Sequence, residues 1–112
     1  MSTSLRPGQI VWVNLSPTSG KEQAGYRPAV VISGPTYLEV VTDLAVVVPV
    51  TRTGQGWENH VKLAALESWA MTEQVRTIAR SRITRISGTV TPEELRSIRR
   101  WVIDLIDEPP TR

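Results

Sequence analysis

Short apolar runs rich in valine and isoleucine alternate with polar segments that contain glycine or proline along most of the chain. Runs of this kind are typical of β-strands. The run over 29–33 is apolar on both sides and predicts a central strand, whereas Pro49 indicates that its strand lies at an edge or carries a bulge. A short helical turn is predicted over 36–41. Strands are predicted over residues 10–15, 29–33, 44–50, 60–63 and 74–80, with a further short apolar segment at 69–71.

The clearest element is a helix near the C-terminus. Thr91 is placed as the N-cap, Pro92 in the first turn and Glu94 as the partner of a capping box. Strands followed by one helix predict a mainly β, α+β domain, a partly open barrel of about five to seven strands with a C-terminal amphipathic helix. The apolar face of that helix is predicted to consist of Leu95, Ile98, Val102, Leu105 and Ile106.

The length of 112 residues favours a single domain over 1–112, with a short disordered N-terminus and C-terminal tail. The absence of cysteine excludes disulfides and a cysteine nucleophile, and a single histidine, His60, disfavours a zinc site. We therefore expect no metal and no cofactor, and a structural or exposed role for His60. No apolar segment is long enough to span a bilayer, so we expect a cytoplasmic protein without a membrane partner.

The positive charge is carried almost entirely by arginine. The formal net charge is +2, and of the 13 basic residues only Lys21 and Lys62 are lysines. Arginine binds phosphate through two parallel hydrogen bonds, whereas lysine offers a point charge. A compositional bias toward arginine explains the numbers equally well, so phosphate binding has to be argued from position.

Two polar loops carry the candidate chemistry. The first contains Glu22 and ends at Arg27, and the second begins with Thr51 directly after an apolar strand. If the two strands are neighbours, a guanidinium, a hydroxyl and a carboxylate meet at one rim. This set suits cleavage of RNA by its own 2′-hydroxyl, because that reaction needs charge stabilisation and proton transfer but no metal. A binding module without catalysis remains open at this point.

Several segments together resemble the MazF/PemK family of toxin endoribonucleases. The resemblance extends from about residue 8 to residue 106 and implies an SH3-like barrel of the CcdB/PemK-like plasmid maintenance toxin type. It also implies a homodimer that cleaves single-stranded RNA without a metal, leaves 2′,3′-cyclic phosphate and 5′-hydroxyl ends, arrests growth and is blocked by a cognate antitoxin. The matching segments are residues 8–13, 20–33, 48–51, 73–78 and 82–83.

The resemblance aligns Arg27 and Thr51 with the family's catalytic arginine and threonine. Glu22 belongs to the expected catalytic set as a positioning group, because an unperturbed carboxylate is a poor base for a 2′-hydroxyl. The family often has aspartate where Ala79 stands here, and Tyr26 occupies a variable position. The expected RNA-binding residues are Lys21, Gln23, Gly25, Arg52, Trp57, Gln74, Arg76, Arg80 and Arg82.

Alternatives remain for several of these residues. Arg27 could form a salt bridge with Glu22. The series Arg76, Arg80, Arg82 and Arg85 could be a solvated strand face rather than a phosphate track. Trp57 could stack on an unpaired base, whereas the other tryptophans fit a core or an interface. The RNA that is cleaved could be mRNA, or it could be tRNA or rRNA instead.

Two rival functions are weaker. A CcdB-like toxin that binds DNA gyrase would use an aromatic residue at the end of its helix, and no aromatic follows Trp101. An SH3-like peptide-binding module would need clustered aromatics, and the only tyrosines are Tyr26 and Tyr37.

Overall fold

The computed structural model describes residues 4–108, so the termini predicted to be disordered lie partly outside the described residues (1–3 and 109–112). The helices are α1 (Pro35–Val40) and α2 (Pro92–Ile106), and single 3₁₀ turns cover Thr72–Gln74 and Arg80–Arg82. The strands are β1 (Gln9–Asn14), β2 (Tyr26–Val31), β3 (Leu44–Thr51), β4 (His60–Leu63), β5 (Ser68–Met71), β6 (Arg76–Ala79) and β7 (Ile83–Thr89).

The strands form an antiparallel sheet in the order β4-β5-β3-β2-β1-β7, and β6 also pairs with β3. Within residues 4–108 the pairing does not return from β4 to β7, so the barrel stays open. The predicted mainly β fold with a C-terminal helix is confirmed. No helix in the same range is long and apolar enough to cross a membrane.

The central strand β2 is buried on both faces. Val30 belongs to a core cluster that also contains Ile98 and Val102 of α2. Ala29 and Val31 belong to a second cluster on the opposite face, which packs against α1. Because a helix covers each face at residues 29–31, this half of the strand has no polar side, and its predicted central position is confirmed; residues 26–28 before it are not buried.

Pro49 predicts that its strand, β3, lies at an edge of the sheet or carries a bulge. The prediction of an edge position is wrong. Strand β3 pairs with β2 on one side and with both β5 and β6 on the other. Strand β6 pairs with residues 44–47 and β5 with residues 50–51, so Pro49 falls where β3 changes partners. A proline can occupy this central strand because no ladder partner stands opposite it on that side.

Two strands near the C-terminus differ from the prediction. The strand predicted over 74–80 is shortened to β6, because its ends lie in the two 3₁₀ turns. Strand β7 was not predicted. None of its residues is buried, and its register against β1 shifts twice. Because no face of the strand is buried regularly, its sequence lacks the alternation of apolar and polar residues by which a strand is predicted.

Helix α2 begins as predicted. Thr91 Oγ1 accepts from Glu94 N at 3.0 Å, and Glu94 Oε1 accepts from Thr91 N at 2.9 Å, which completes the capping box. The predicted apolar face is only partly correct. Leu95, Ile98 and Val102 contribute to the core, whereas Leu105 and Ile106 are exposed because the last turn extends beyond the sheet residues.

Candidate functional site

A cleft of about 320 Å³ opens beside the start of β2 and the end of β3. The strands are antiparallel with Ala29 opposite Pro49, and the same register brings Arg27 opposite Thr51. Both residues line the cleft, together with Arg52 of the following loop. The fold therefore brings the guanidinium and the hydroxyl of the two polar loops to one place.

The Arg27 guanidinium is held by neutral oxygen atoms. Nε donates to Ala24 O at 3.1 Å, and Nη1 donates to Val50 O at 3.2 Å. When the Gln23 amide is oriented so that its oxygen faces the guanidinium, Oε1 lies 2.9 Å from Nη2, 3.1 Å from Nε and 3.2 Å from Nη1 of Arg27 and accepts from them. A guanidinium has five N–H donors, so at least one N–H on Nη2 remains for a ligand.

Among residues 4–108, no carboxylate forms an ion pair with Arg27. The ion pairs among residues 4–108 are His60–Glu73 and Arg100–Asp104, and no acidic residue lines the cleft. Partial burial lowers the pKa of Arg27, because desolvation disfavours the charged form. A fixed, partly desolvated cation without a carboxylate is suited to bind an anion.

Thr51 is half-buried at the end of β3. Its Oγ1 accepts a hydrogen bond from Thr53 N at 3.2 Å. Because the oxygen is engaged as an acceptor, the hydroxyl proton is available to donate into the cleft. Thr51 is thus a neutral donor beside a charged one.

Glu22 lies apart from this pair. Its Oε1 accepts from Ser19 N at 2.7 Å, and no salt bridge joins it to Arg27 among residues 4–108. Glu22 lines a second groove of about 610 Å³ together with Lys21, Gln74 and Arg76. The three-group set expected at one rim is therefore divided between two neighbouring depressions.

Gln23 connects the two depressions. Its backbone N donates to Gln74 Oε1 at 3.1 Å, while its side chain contacts Arg27 in the cleft. Gln74 Nε2 also donates to Lys21 O at 3.3 Å, which ties the loop to the turn Thr72–Gln74. Gly25 adopts a φ of +86°, a conformation that favours glycine, and its N donates to Ser16 Oγ.

Three arginines of the predicted phosphate track, Arg76, Arg80 and Arg82, lie in different places and contact different parts of the chain. Arg76 lines the second groove and donates to Leu15 O at 3.3 Å. Arg82 donates to Asn14 O and Ser16 O, and so fastens the end of β1. Arg80 donates to Leu38 O, Val41 O and Leu44 O around the end of α1, away from both depressions. Backbone carbonyls therefore engage Nε and Nη2 of Arg80, and a phosphate track through Arg80 stays a prediction.

Trp57 is exposed in the loop between β3 and β4, with 52% of its surface accessible. Its ring centroid lies 4.9 Å from that of His60. It lines neither depression, but its histidine neighbour contacts Glu73, which borders the second groove.

Sequence reasoning missed one wall of the cleft. Trp12 and Tyr26 line it, with ring centroids 5.5 Å apart, and the Arg85 guanidinium lies 4.8 Å from the Trp12 ring. Trp12 was expected in a core or an interface. Its polar neighbours come from β7, the strand that was not predicted, so no signal in the sequence placed this wall.

A group of three or more potential metal ligands (His, Cys, Asp or Glu) does not occur within residues 4–108.

Comparisons with known proteins give a consistent result. A family model described as PemK-like, MazF-like toxin of type II toxin–antitoxin system matches residues 6–106. The chain is 41% identical over 102 residues to the endoribonuclease toxin MazF of Escherichia coli (strain K12), covering 88% of this chain and 91% of that protein. The crystal structure of MazF (Form-I) from Deinococcus radiodurans superimposes with a TM-score of 0.84 at 28% identity, over 95% of this chain and 99% of that one. A MazE–MazF structure (Form-II) from the same organism gives a TM-score of 0.80 at 28% identity, over 96% and 100%.

Proposed function

Since the chain belongs to the PemK-like, MazF-like toxin family of type II toxin–antitoxin systems, we propose that it is an endoribonuclease that cleaves single-stranded RNA without a metal. The observation that carries the proposal is the cleft shared by Arg27 and Thr51, which presents a fixed cation and a hydroxyl donor with no carboxylate. An E. coli relative named as an endoribonuclease supports the reaction class.

The proposed reaction uses the RNA's own nucleophile. The 2′-hydroxyl oxygen attacks the adjacent phosphorus and loses its proton to solvent water, and the bond from phosphorus to the 5′-oxygen breaks. The products are a 2′,3′-cyclic phosphate and a 5′-hydroxyl, which takes up one proton. Charge builds on the nonbridging oxygens during the step, so donors aimed at that position lower the barrier.

Arg27 and Thr51 divide this work. The Arg27 guanidinium, which lines the cleft, stabilises the phosphate oxygens and supplies the proton that the leaving 5′-oxygen takes up, which it regains from water. Thr51 adds a hydrogen bond from its hydroxyl. Glu22 acts as a positioning group, because its carboxylate lies in the neighbouring groove.

RNA binding extends from the cleft across Gln23 into the second groove. Lys21, Gln74 and Arg76 border that groove, and Arg52 borders the cleft. Trp57 offers an exposed ring on which an unpaired base can stack. We place Arg80 outside this set, because its Nε and Nη2 donate to the backbone around α1 and it borders neither depression.

The proposed partners are a second copy of the chain and a cognate antitoxin. A similar structure whose title names both MazE and MazF supports the antitoxin. Because the cleft is positively charged, we expect an acidic or apolar antitoxin segment to compete with RNA. Simultaneous binding of a saturating antitoxin peptide and RNA would contradict this part of the proposal.

Cleavage kinetics on a fluorescent single-stranded RNA test the two catalytic assignments. Thr51→Val removes the hydroxyl and keeps the shape, so kcat should fall about 10²-fold, as for loss of one oxyanion donor. Thr51→Ser should restore most of it. Arg27→Lys keeps a charge without the planar fork and should lose at least as much. The exposed Thr36→Ala and Arg96→Ala serve as controls. Full activity of folded Thr51→Val and Arg27→Lys would overturn the assignments.

A further inference from the structure

His60 is buried at the start of β4, with 2% of its side chain accessible. Nε2 lies 3.0 Å from both carboxylate oxygens of Glu73 and donates to them. Nδ1 is also buried and has no hydrogen-bond partner among residues 4–108. A buried polar atom without a partner costs free energy, so stability alone does not account for a histidine at this position.

The pair fastens two segments to each other. Glu73 belongs to the 3₁₀ turn Thr72–Gln74, and His60 follows directly on the loop over 52–59. Asn59 reinforces the junction, because its Nδ2 donates to Glu73 Oε1 at 2.7 Å and its carbonyl accepts from Thr72 Oγ1 at 2.8 Å. The end of the loop is therefore held to the turn by four side chains, those of Asn59, His60, Thr72 and Glu73.

Contacts continue from this junction in both directions. On one side, His60 N donates to Trp57 O at 3.1 Å, and the two rings lie 4.9 Å apart at 44°. On the other side, Gln74 follows Glu73 in the turn and accepts from the backbone of Gln23, whose amide contacts Arg27. A continuous series of contacts thus joins the exposed Trp57 ring to the guanidinium in the cleft.

We propose that His60 and Glu73 are a positioning pair that holds the Trp57 loop (residues 52–59) in register with the loop bearing Gln23, and so aligns the RNA strand with Arg27. The proposal rests on the proposed function, since the alignment matters only if RNA binds both sites. Neither residue of the pair contacts the reacting atoms. Loss of the pair therefore weakens RNA binding more than it slows the chemical step.

The first test uses no RNA. Hydrogen exchange of the backbone is compared for the wild type, His60→Leu and His60→Gln. Leucine fills the buried volume without a donor, so exchange in residues 52–59 should accelerate roughly tenfold or more. Glutamine retains a donor toward Glu73 and should restore slow exchange. Asp104→Asn, which breaks the exposed ion pair of α2, is the matched control and should leave the loop unchanged.

The second test separates binding from chemistry. His60→Leu should raise KM for RNA about tenfold, within the contribution of one base–aromatic stack, and leave kcat within about twofold. In protein that already carries Trp57→Ala, His60→Leu should not change KM further. If His60 acts by positioning Trp57, its loss has no effect once the Trp57 ring is absent, and a double-mutant cycle measures this dependence.

Unchanged exchange of the loop in folded His60→Leu would overturn the inference, whatever happens to RNA. A fall in kcat with constant KM would also overturn it, because it would indicate a direct catalytic role. Wild-type protein that cuts no RNA would contradict the proposed function instead, and the exchange result would still decide whether the pair couples the two segments.

Discussion

Arg27 is partly buried and has no carboxylate partner among residues 4–108. Most partly buried arginines are paired, because removing a cation from water is costly. Here the guanidinium is held by Ala24 O, Val50 O and the Gln23 amide, which fix its plane without cancelling its charge. The arrangement keeps the cation in a defined position until an anion enters the cleft.

Gly54 shows how closely the loop after β3 is packed. A Cβ added there would lie 3.1 Å from two carbons of the Trp69 ring, so the loop or the ring must shift by a few tenths of an ångström to admit it. Thr51, Arg52 and Thr53 precede it and line the cleft. This glycine is required by contact rather than by backbone conformation.

Gly54→Ala should therefore lower kcat/KM for RNA about tenfold, because displacing the loop misplaces Thr51 and Arg52. The matched control is Gly34→Ala, whose added Cβ would meet nothing within 4 Å. Cleavage kinetics at fixed salt measure both variants. Wild-type kcat/KM in Gly54→Ala would show that the loop's position does not govern the cleft.

At the scale of elements, α1 depends on an arginine from outside the helix. The Arg80 guanidinium donates to carbonyls of Leu38 and Val41 at the end of α1 and to Leu44 at the start of β3. Carbonyls at a helix end have no partner within the helix, so an external donor stabilises it. Arg80 thus joins a six-residue helix to the sheet.

Arg80→Met should lower the free energy of unfolding by about 2 kcal/mol, because three carbonyls lose their donor. Denaturant unfolding measures this change, with Arg96→Met on the exposed face of α2 as the control. KM for RNA should not change. A raised KM with unaltered stability would instead restore Arg80 to the RNA-binding set.

The sequence predicted the elements whose signal is local. The capping box of α2 and the buried strand β2 follow from adjacent residues, and both are present. Pro49 misled because its tolerance depends on which strands flank β3, and β7 was missed because its bulged, exposed register removes the alternation. Such features depend on contacts between distant segments, which a single sequence does not display.

The same distinction applies to the site. Arg27 and Thr51 could be selected because each follows a recognisable loop or strand, and the antiparallel register then brings them together. The division of Glu22 from this pair, the wall made by Trp12 and Tyr26, and the use of Arg80 by the backbone all depend on side-chain geometry.

At the scale of the whole molecule, the basic side chains are distributed so that two of them border each depression. Arg27 and Arg52 line the cleft, and Lys21 and Arg76 line the second groove. Together they could neutralise about four phosphates of a bound single strand. The formal net charge of only +2 means that this local arrangement, and not the total charge, determines RNA binding.

RNA binding should accordingly weaken with salt, with a slope of log K against log salt concentration of about −3. Arg52→Gln should reduce the slope by about 0.7, because one phosphate contact is lost. Arg100→Gln on α2 is the control and should leave the slope unchanged. Fluorescence anisotropy with Thr51→Val protein, which binds without rapid cleavage, measures all three. If Arg100→Gln changed the slope and Arg52→Gln did not, the RNA would bind near α2 and not at the cleft.

Whether the Arg27–Thr51 cleft cuts RNA without a metal can be tested by mapping the ends of a long single-stranded RNA after incubation with the protein in EDTA. We expect discrete cuts with 5′-hydroxyl and 2′,3′-cyclic phosphate ends, absent with Arg27→Ala and Thr51→Ala. Cutting that requires a divalent ion, leaves 5′-phosphate ends or persists undiminished in both variants would contradict this expectation.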